Sequence, residues 1–175
     1  MPIHFDNPQP TTLEAVRAVQ ERIGLVLPDQ YVALLTSVSN GGSVEPVIFK
    51  DDLDIGVVGF LGIGTEHYDL ATRVAQHDGD LPEGLVPIAD TEGGNLICAK
   101  VSGGDLGSIW FWNHELEVDA AHQVAGSLEE FVAGLGPYEN TGVQPKVVSV
   151  WVDPEFLEEQ KRLGNYRPPK PTSEN

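Results

Sequence analysis

Apolar residues recur with a helical period at three places in this 175-residue chain. In 11–24, Leu13, Val16, Val19 (or Gln20) and Ile23 fall on one stripe, and Thr11 with Glu14 has the Thr-x-x-Glu spacing of a capping box. Gly24 stands where a left-handed C-cap belongs. The stretch "LPDQYVALLTSVSNGG" (27–42) places Tyr31, Leu34, Leu35 and Val38 at i, i+3, i+4 and i+7. Pro28 suits the first turn, Asp29 complements the helix dipole, and Asn40-Gly41-Gly42 reads as the stop. Leu128, Phe131, Val132 and Leu135 repeat the pattern behind a second capping box, Ser127 and Glu130, with Gly134 and Gly136 as terminators.

Between these helices the pattern changes to strand-like runs. "EPVIFK" and "DIGVVGFLGIG" are rich in Val, Ile and Phe, with glycines that suggest bends. "TEHYDLATRVAQHDG" reads as a further helix capped by Thr65, with Tyr68, Ala71 and Val74 or Ala75 inward. "LVPIAD", "NLICAKV" and "SIWFWNH" are strands joined by the short turns "TEGG" and "SGGDLG", which predicts an antiparallel meander. In "IWFW", alternation sends Trp110 and Trp112 to one sheet face and Ile109 and Phe111 to the other. A central strand with both faces covered would account for this; so would a face that meets a partner. Beyond 137, "PKVVSVWV" reads as a strand, "DPEFLEEQKRLG" as a short helix and 165–175 as a disordered tail. The expected architecture is α+β: a single domain, 1–136, with a mainly antiparallel sheet flanked by helices. A strand-helix extension, 137–164, is expected to pack on it.

Charge narrows the functional classes. The chain carries −17, and between Val74 and Pro145 twelve acids face one base, Lys100. Such a field opposes phosphate backbones and anionic membranes and favours encounter with a basic protein. The same acidity also serves solubility alone. The longest apolar runs fall well short of the ~18–20 residues of a membrane span. "MPIHFDNPQP" has no secretory pattern, and Cys98 is the only cysteine, so a cytoplasmic protein without an intrachain disulfide is expected.

Motifs for catalysis fail on inspection. "GFLGIGT" approaches a phosphate loop, but Thr65 follows Gly64 directly and the phosphate-reaching lysine is missing. His114-Glu115 opens a zinc-protease pattern whose second histidine position holds Val118. "DDLDIG" lacks the downstream glutamate of a calcium loop until Glu66. Cys98 lies in an apolar run where a thiol packs as a small hydrophobe. The five histidines form no pair at ligand spacing within one element, so neither a cofactor nor a metal site is expected.

The order of the pieces carries a resemblance. "GLVLPDQYVALLTSVSNGG", with Leu27, Pro28, Tyr31, Asn40, Gly41 and Gly42, resembles the N-terminal signature of the Smi/Knr family of the SUKH superfamily. "FLGIG", "VPIADTEGGNLICAKV" with Asp90, Gly94 and Asn95, "GSIWFWNHE" with Gly107 and Trp112, and "SLEEFVAGL" resemble its later blocks in order, over about residues 10–136. The resemblance implies a non-enzymatic α+β domain. Bacterial members are mostly immunity proteins that neutralise toxins, often nucleases, and fungal relatives act in cell-wall regulation.

The expected partner is therefore a basic toxin domain, bound stoichiometrically by acidic loops. The candidate contact residues, chosen by charge density and loop position, are Asp51, Asp52, Asp54, Asp78, Asp80, Glu115, Glu117 and Asp119. Two alternatives stay open: a regulatory protein-interaction module of the same fold, and a metal-dependent hydrolase using carboxylates in these loops.

Overall fold

A computed structural model describes residues 4–6, 8–49 and 54–137, together with 158 and 162. The chain divides into two units, Met1–Glu139 and Asn140–Asn175. In the second, Glu158 and Arg162 are helical and exposed. The remainder of the expected extension and tail lies outside the described residues, as does Lys50 of "EPVIFK".

The first unit begins with two helices, α1 (Leu13–Ile23) and α2 (Asp29–Ser37). The cap of α1 is Thr12 rather than Thr11: its hydroxyl accepts from the Ala15 amide at 3.2 Å. Thr11 instead donates its backbone N–H to Leu35, tying the approach to α1 onto α2. Glu14 is thus a first-turn acid and not the partner in a capping box. Gly24 closes α1 in the left-handed conformation, φ 69°. Val16 and Val19 are buried, whereas Leu13 is half exposed. Pro28 is the N-cap of α2 rather than its first helical residue.

That helix buries Tyr31 and Leu35, but its stop differs from the expected one. It ends at Ser37, and Val38, at φ −116° and ψ −64°, turns outward and is half exposed. Asn40-Gly41-Gly42 is a tertiary clamp. Asn40 accepts from the Ile63 amide and donates to the Ile63 carbonyl. Gly41 then passes so close to 60–62 that a Cβ there would stand 2.6 Å from three backbone atoms.

The sheet has seven strands among the described residues, β1 (Gly42–Phe49), β2 (Ile55–Phe60), β3 (Leu85–Thr91), β4 (Leu96–Lys100), β5 (Ile109–Trp112), β6 (Ala121–Ala125) and β7 (Leu135–Pro137). Their order is β6-β5-β4-β3-β2-β1-β7, and every pairing is antiparallel. Strands β3 to β5 form the expected meander, which β2 and β1 extend at one end and β6 at the other; β7 returns to pair with β1. Pro46 and Pro87, which cannot donate to a ladder, fall at register shifts in β1 and β3. Gly136 lies in β7 rather than ending a helix.

Helix α3 (Leu70–Gln76) is capped by Asp69, not Thr65. The Asp69 carboxylate accepts from Thr72 N–H and Oγ1 and from the Gly64 amide, at 2.8–2.9 Å. Partial burial works against the ion, but these hydrogen bonds outweigh it and hold the carboxyl below its ordinary range. Helix α4 (Leu128–Gly134) starts at Ser127 as expected. Its Glu130 side chain reaches one residue further back than a capping box would, to the Gly126 amide.

Helices α1, α2, α3 and α4 are linked by mutual contacts, and α3 and α4 touch β3 and β6. The main core includes Val16, Tyr31, Leu35, Phe60, Ile88, Ile97, Phe111 and Phe131. The Tyr31 hydroxyl, fully buried, donates to the Leu61 carbonyl. A smaller apolar cluster, Leu85, Leu96, Cys98 and Trp112, is separate from it.

Candidate functional site: an aromatic cleft with an acidic rim

Strand alternation builds the floor of the site. Leu96 and Cys98 on β4 face Trp112 and Trp110 on β5, one pair across each rung, while Ile109 and Phe111 turn into the main core. Lys100, two residues beyond Cys98, reaches the same face and sets its ammonium 5.2 Å from the Trp110 ring centre. Trp112 is buried, but Trp110 is only partly so. Strand β5 is therefore internal to the sheet, as its composition suggests, yet one of its faces opens to a cleft. The Trp110 indole N–H is held inward by Ser108 Oγ at 2.9 Å, which fixes the ring plane.

Two segments form the walls of this cleft, about 850 Å³ in volume. The first is 77–82, which follows α3. The His77 ring stands edge-on to Trp112 at 5.1 Å and 75°. The second is 113–120, between β5 and β6. Asn113 pins it at both ends: its amide donates to Ala120 O at 2.7 Å, and its side-chain oxygen accepts from the Glu115 amide at 2.9 Å. Asn95, immediately before β4, holds His114 through one oxygen that lies 3.2 Å from the His114 amide and 2.9 Å from Nδ1. Asp119 adopts a left-handed conformation, φ 52°, which Asp tolerates better than most side chains. Leu116 and Val118 of this loop are exposed, Val118 to 77%.

The electrostatics of the cleft are lopsided. Asp80, Glu117 and Asp119 line it against a single ammonium, Lys100. Burial, with repulsion from Arg73 and His114, holds the His77 pKa below the usual imidazole value despite the opposing pull of Asp80 and Asp90. Complete burial pushes the Cys98 thiol well up, out of the range of a reactive thiolate.

The expected contact residues separate on this geometry. Asp80, Glu117 and Asp119 meet at the cleft, and Glu115 is exposed on the same loop. Asp78 faces a different groove, with Arg22, Ile23 and Thr72. Asp54 borders a small hollow with Gly56, Glu92 and Asn95. Asp51 and Asp52 lie outside the described residues. Three residues that sequence reasoning set aside also line the cleft: Lys100, His77 and His114. The histidines lack spacing within any one element because they converge from two segments. Among the described residues, no three of His, Cys, Asp and Glu converge as a metal-ligating group.

The signature residues divide similarly. Leu27 and Tyr31 belong to the core, and Asn40, Gly41 and Gly42 to the clamp and the strand it starts. Asp90 pairs with Arg73 at 2.6 Å. Gly94, Asn95 and Trp112 gather around His114; a Cβ on Gly94 would touch its ring at 3.4 Å.

What fold and cleft define is an α+β domain with an open aromatic cleft that carries a carboxylate rim. The chain belongs to the SMI1/KNR4 family (SUKH-1), which it matches over residues 10–134. It is similar to the SPbeta prophage-derived uncharacterized protein YokK of Bacillus subtilis (strain 168), with 31% identity over 117 residues. That match takes in 65% of this chain and 59% of the relative, so the chain spans somewhat over half the length of YokK. No helix among the described residues is long and apolar enough to cross a membrane.

Proposed function

We propose that this protein is a non-catalytic immunity-type binding domain that neutralises a basic toxin domain, such as a nuclease, by stoichiometric occlusion. Family membership supports the class, because SUKH domains are commonly immunity proteins. The observation that carries the reading is the cleft: a tryptophan floor, partly open at Trp110, bordered by Asp80, Glu117 and Asp119. Aromatic surface supplies the desolvated centre of an interface, and a carboxylate rim complements a cationic partner and speeds its approach. A surface that holds phosphate in a nuclease would meet carboxylates here instead.

Co-expression with a toxin domain encoded by a neighbouring gene tests the proposal. Growth is restored and the two proteins co-purify if it holds; absence of both rescue and complex would end it. Replacing Asp80, Glu117 and Asp119 by amides should weaken the complex, and raised salt should do the same. A complex indifferent to both would leave immunity standing but remove the acidic cleft as its contact surface.

A further inference from the structure

We propose that the cleft receives an arginine side chain of the protein partner, and that Lys100 holds that place in the free protein. The inference rests on the binding function proposed above and names the group that the surface recognises.

The first support is that a cation already occupies the aromatic face. The Lys100 ammonium lies 5.2 Å from the centre of the Trp110 ring and forms no ion pair among the described residues. The ammonium thus sits where the electron-rich ring face attracts positive charge. The second is that this charge falls short of the rim's. Asp80 comes from one wall and Glu117 and Asp119 from the other, three carboxylates against one ammonium. The third is that Lys100 has somewhere to go. It also borders a second hollow of about 400 Å³, lined by Val26, Asp29, Leu106 and Ser127 among others. There its flexible stem can lie along the exposed Val26 and Leu106, with the Asp29 carboxylate within the same hollow.

Guanidinium fits this arrangement better than a second ammonium. It is planar, stacks on an indole face, and presents forked donors that match carboxylates two at a time. It is also less strongly hydrated, so it gives up less on entering a cleft floored by Trp110, Trp112 and Leu85. Entry of the arginine would send Lys100 toward Asp29 and join the two hollows into one contact surface.

The test is a titration of the full-length protein with acetyl-arginine methylamide, read by the indole N–H resonances of Trp110 and Trp112, each assigned by W110F and W112F. Acetyl-citrulline methylamide, the same shape without the charge, is the control. We expect saturable shifts with the arginine compound alone. In Lys100→Met they should saturate at a concentration lower by ~3-fold or more, since a competing ring-bound cation has been removed. They should weaken in the exposed-rim variant D80N/E117Q/D119N. Equal responses to arginine and citrulline, or no tightening in Lys100→Met, would overturn the proposal. Its failure is separable from that of the immunity reading. Growth rescue without an arginine response removes only the arginine site, and an arginine response without rescue removes only the toxin.

Discussion

Gly41 and Gly62 lie so close that neither position has room for a side chain: a Cβ on Gly62 would fall 1.8 Å from the Asn40 carbonyl oxygen, and one on Gly41 would fall 2.6 Å from the Gly62 amide nitrogen. Backbone meets backbone here, so no flexible side chain can yield. The contact fastens the exit of α2 to the end of β2, alongside the two Asn40–Ile63 hydrogen bonds. Gly62→Ala should therefore destabilise the domain by ~3 kcal/mol or more in urea unfolding. Gly24→Ala, left-handed but with open space around it, should cost only ~1 kcal/mol. Equal effects would mean that the close contact at Gly62 relaxes at little cost.

Alkaline pH should unfold the domain through two buried groups. Burial raises the folded-state pKa of Tyr31, with the Asp90 charge adding to it, and burial raises that of Cys98. A group raised above its unfolded value contributes stability that is intact below the unfolded pKa and falls as pH rises past it. The decline should thus begin near the ordinary values, 9.0 for the thiol and 10.0 for the phenol. Tyr31→Phe should lose ~1 kcal/mol or somewhat more near neutrality, by stranding the Leu61 carbonyl, and should flatten the alkaline decline. Thiol-reagent labelling of Cys98 should track global unfolding; rapid labelling of native protein would contradict its burial.

On the acid side the sign reverses for His77. Its folded pKa is depressed, so the unfolded chain binds its proton first and stability falls as pH drops below the unfolded value of 6.5. His77→Gln should remove part of that decline while leaving stability at pH 8 nearly unchanged. Urea midpoints across pH 5–8 report it, and parallel profiles for the two proteins would refute the assignment.

The Arg73–Asp90 pair should show strong coupling. Both side chains are largely buried, at 25% and 17% exposure, and Arg73 Nε and Asp90 Oδ1 lack other partners among the described residues. Arg73→Met alone leaves a carboxylate in poor solvent and should cost ~3 kcal/mol; the double variant with Asp90→Asn should recover a good part of that. An additive double-mutant cycle would show that the pair is structurally incidental.

The long apolar stripes make the helices and the five strands β1 to β5 legible, because burial of one face dictates their periods. Elements that depend on tertiary partners are not. In β6, "AHQVA" has little strand character and takes its form from pairing with β5; β7, three residues with a Gly and a Pro, takes its form from β1. Caps shifted for similar reasons: Thr11 is drawn away from α1 by Leu35, and Thr65 leaves the cap of α3 to an Asp69 that also holds Gly64. The tryptophan face could be read from alternation in "IWFW". Its walls could not, since 77–82 and 113–120 meet only in the fold. Charge density therefore groups Asp54 and Asp78 with acids they do not join, while Lys100, in the sequence only the lone base of its region, lies on the indole at the centre.

The central claim, that the acidic aromatic cleft binds and occludes a basic toxin domain, is tested most directly by calorimetric titration of that purified domain into this protein and into its W110A and D80N/E117Q/D119N variants. The account predicts a one-to-one complex whose affinity falls by ~30-fold or more on loss of the Trp110 ring, and falls with added salt in the wild type but much less in the rim variant. An undetectable complex, or one whose affinity is the same for all three proteins, would contradict it.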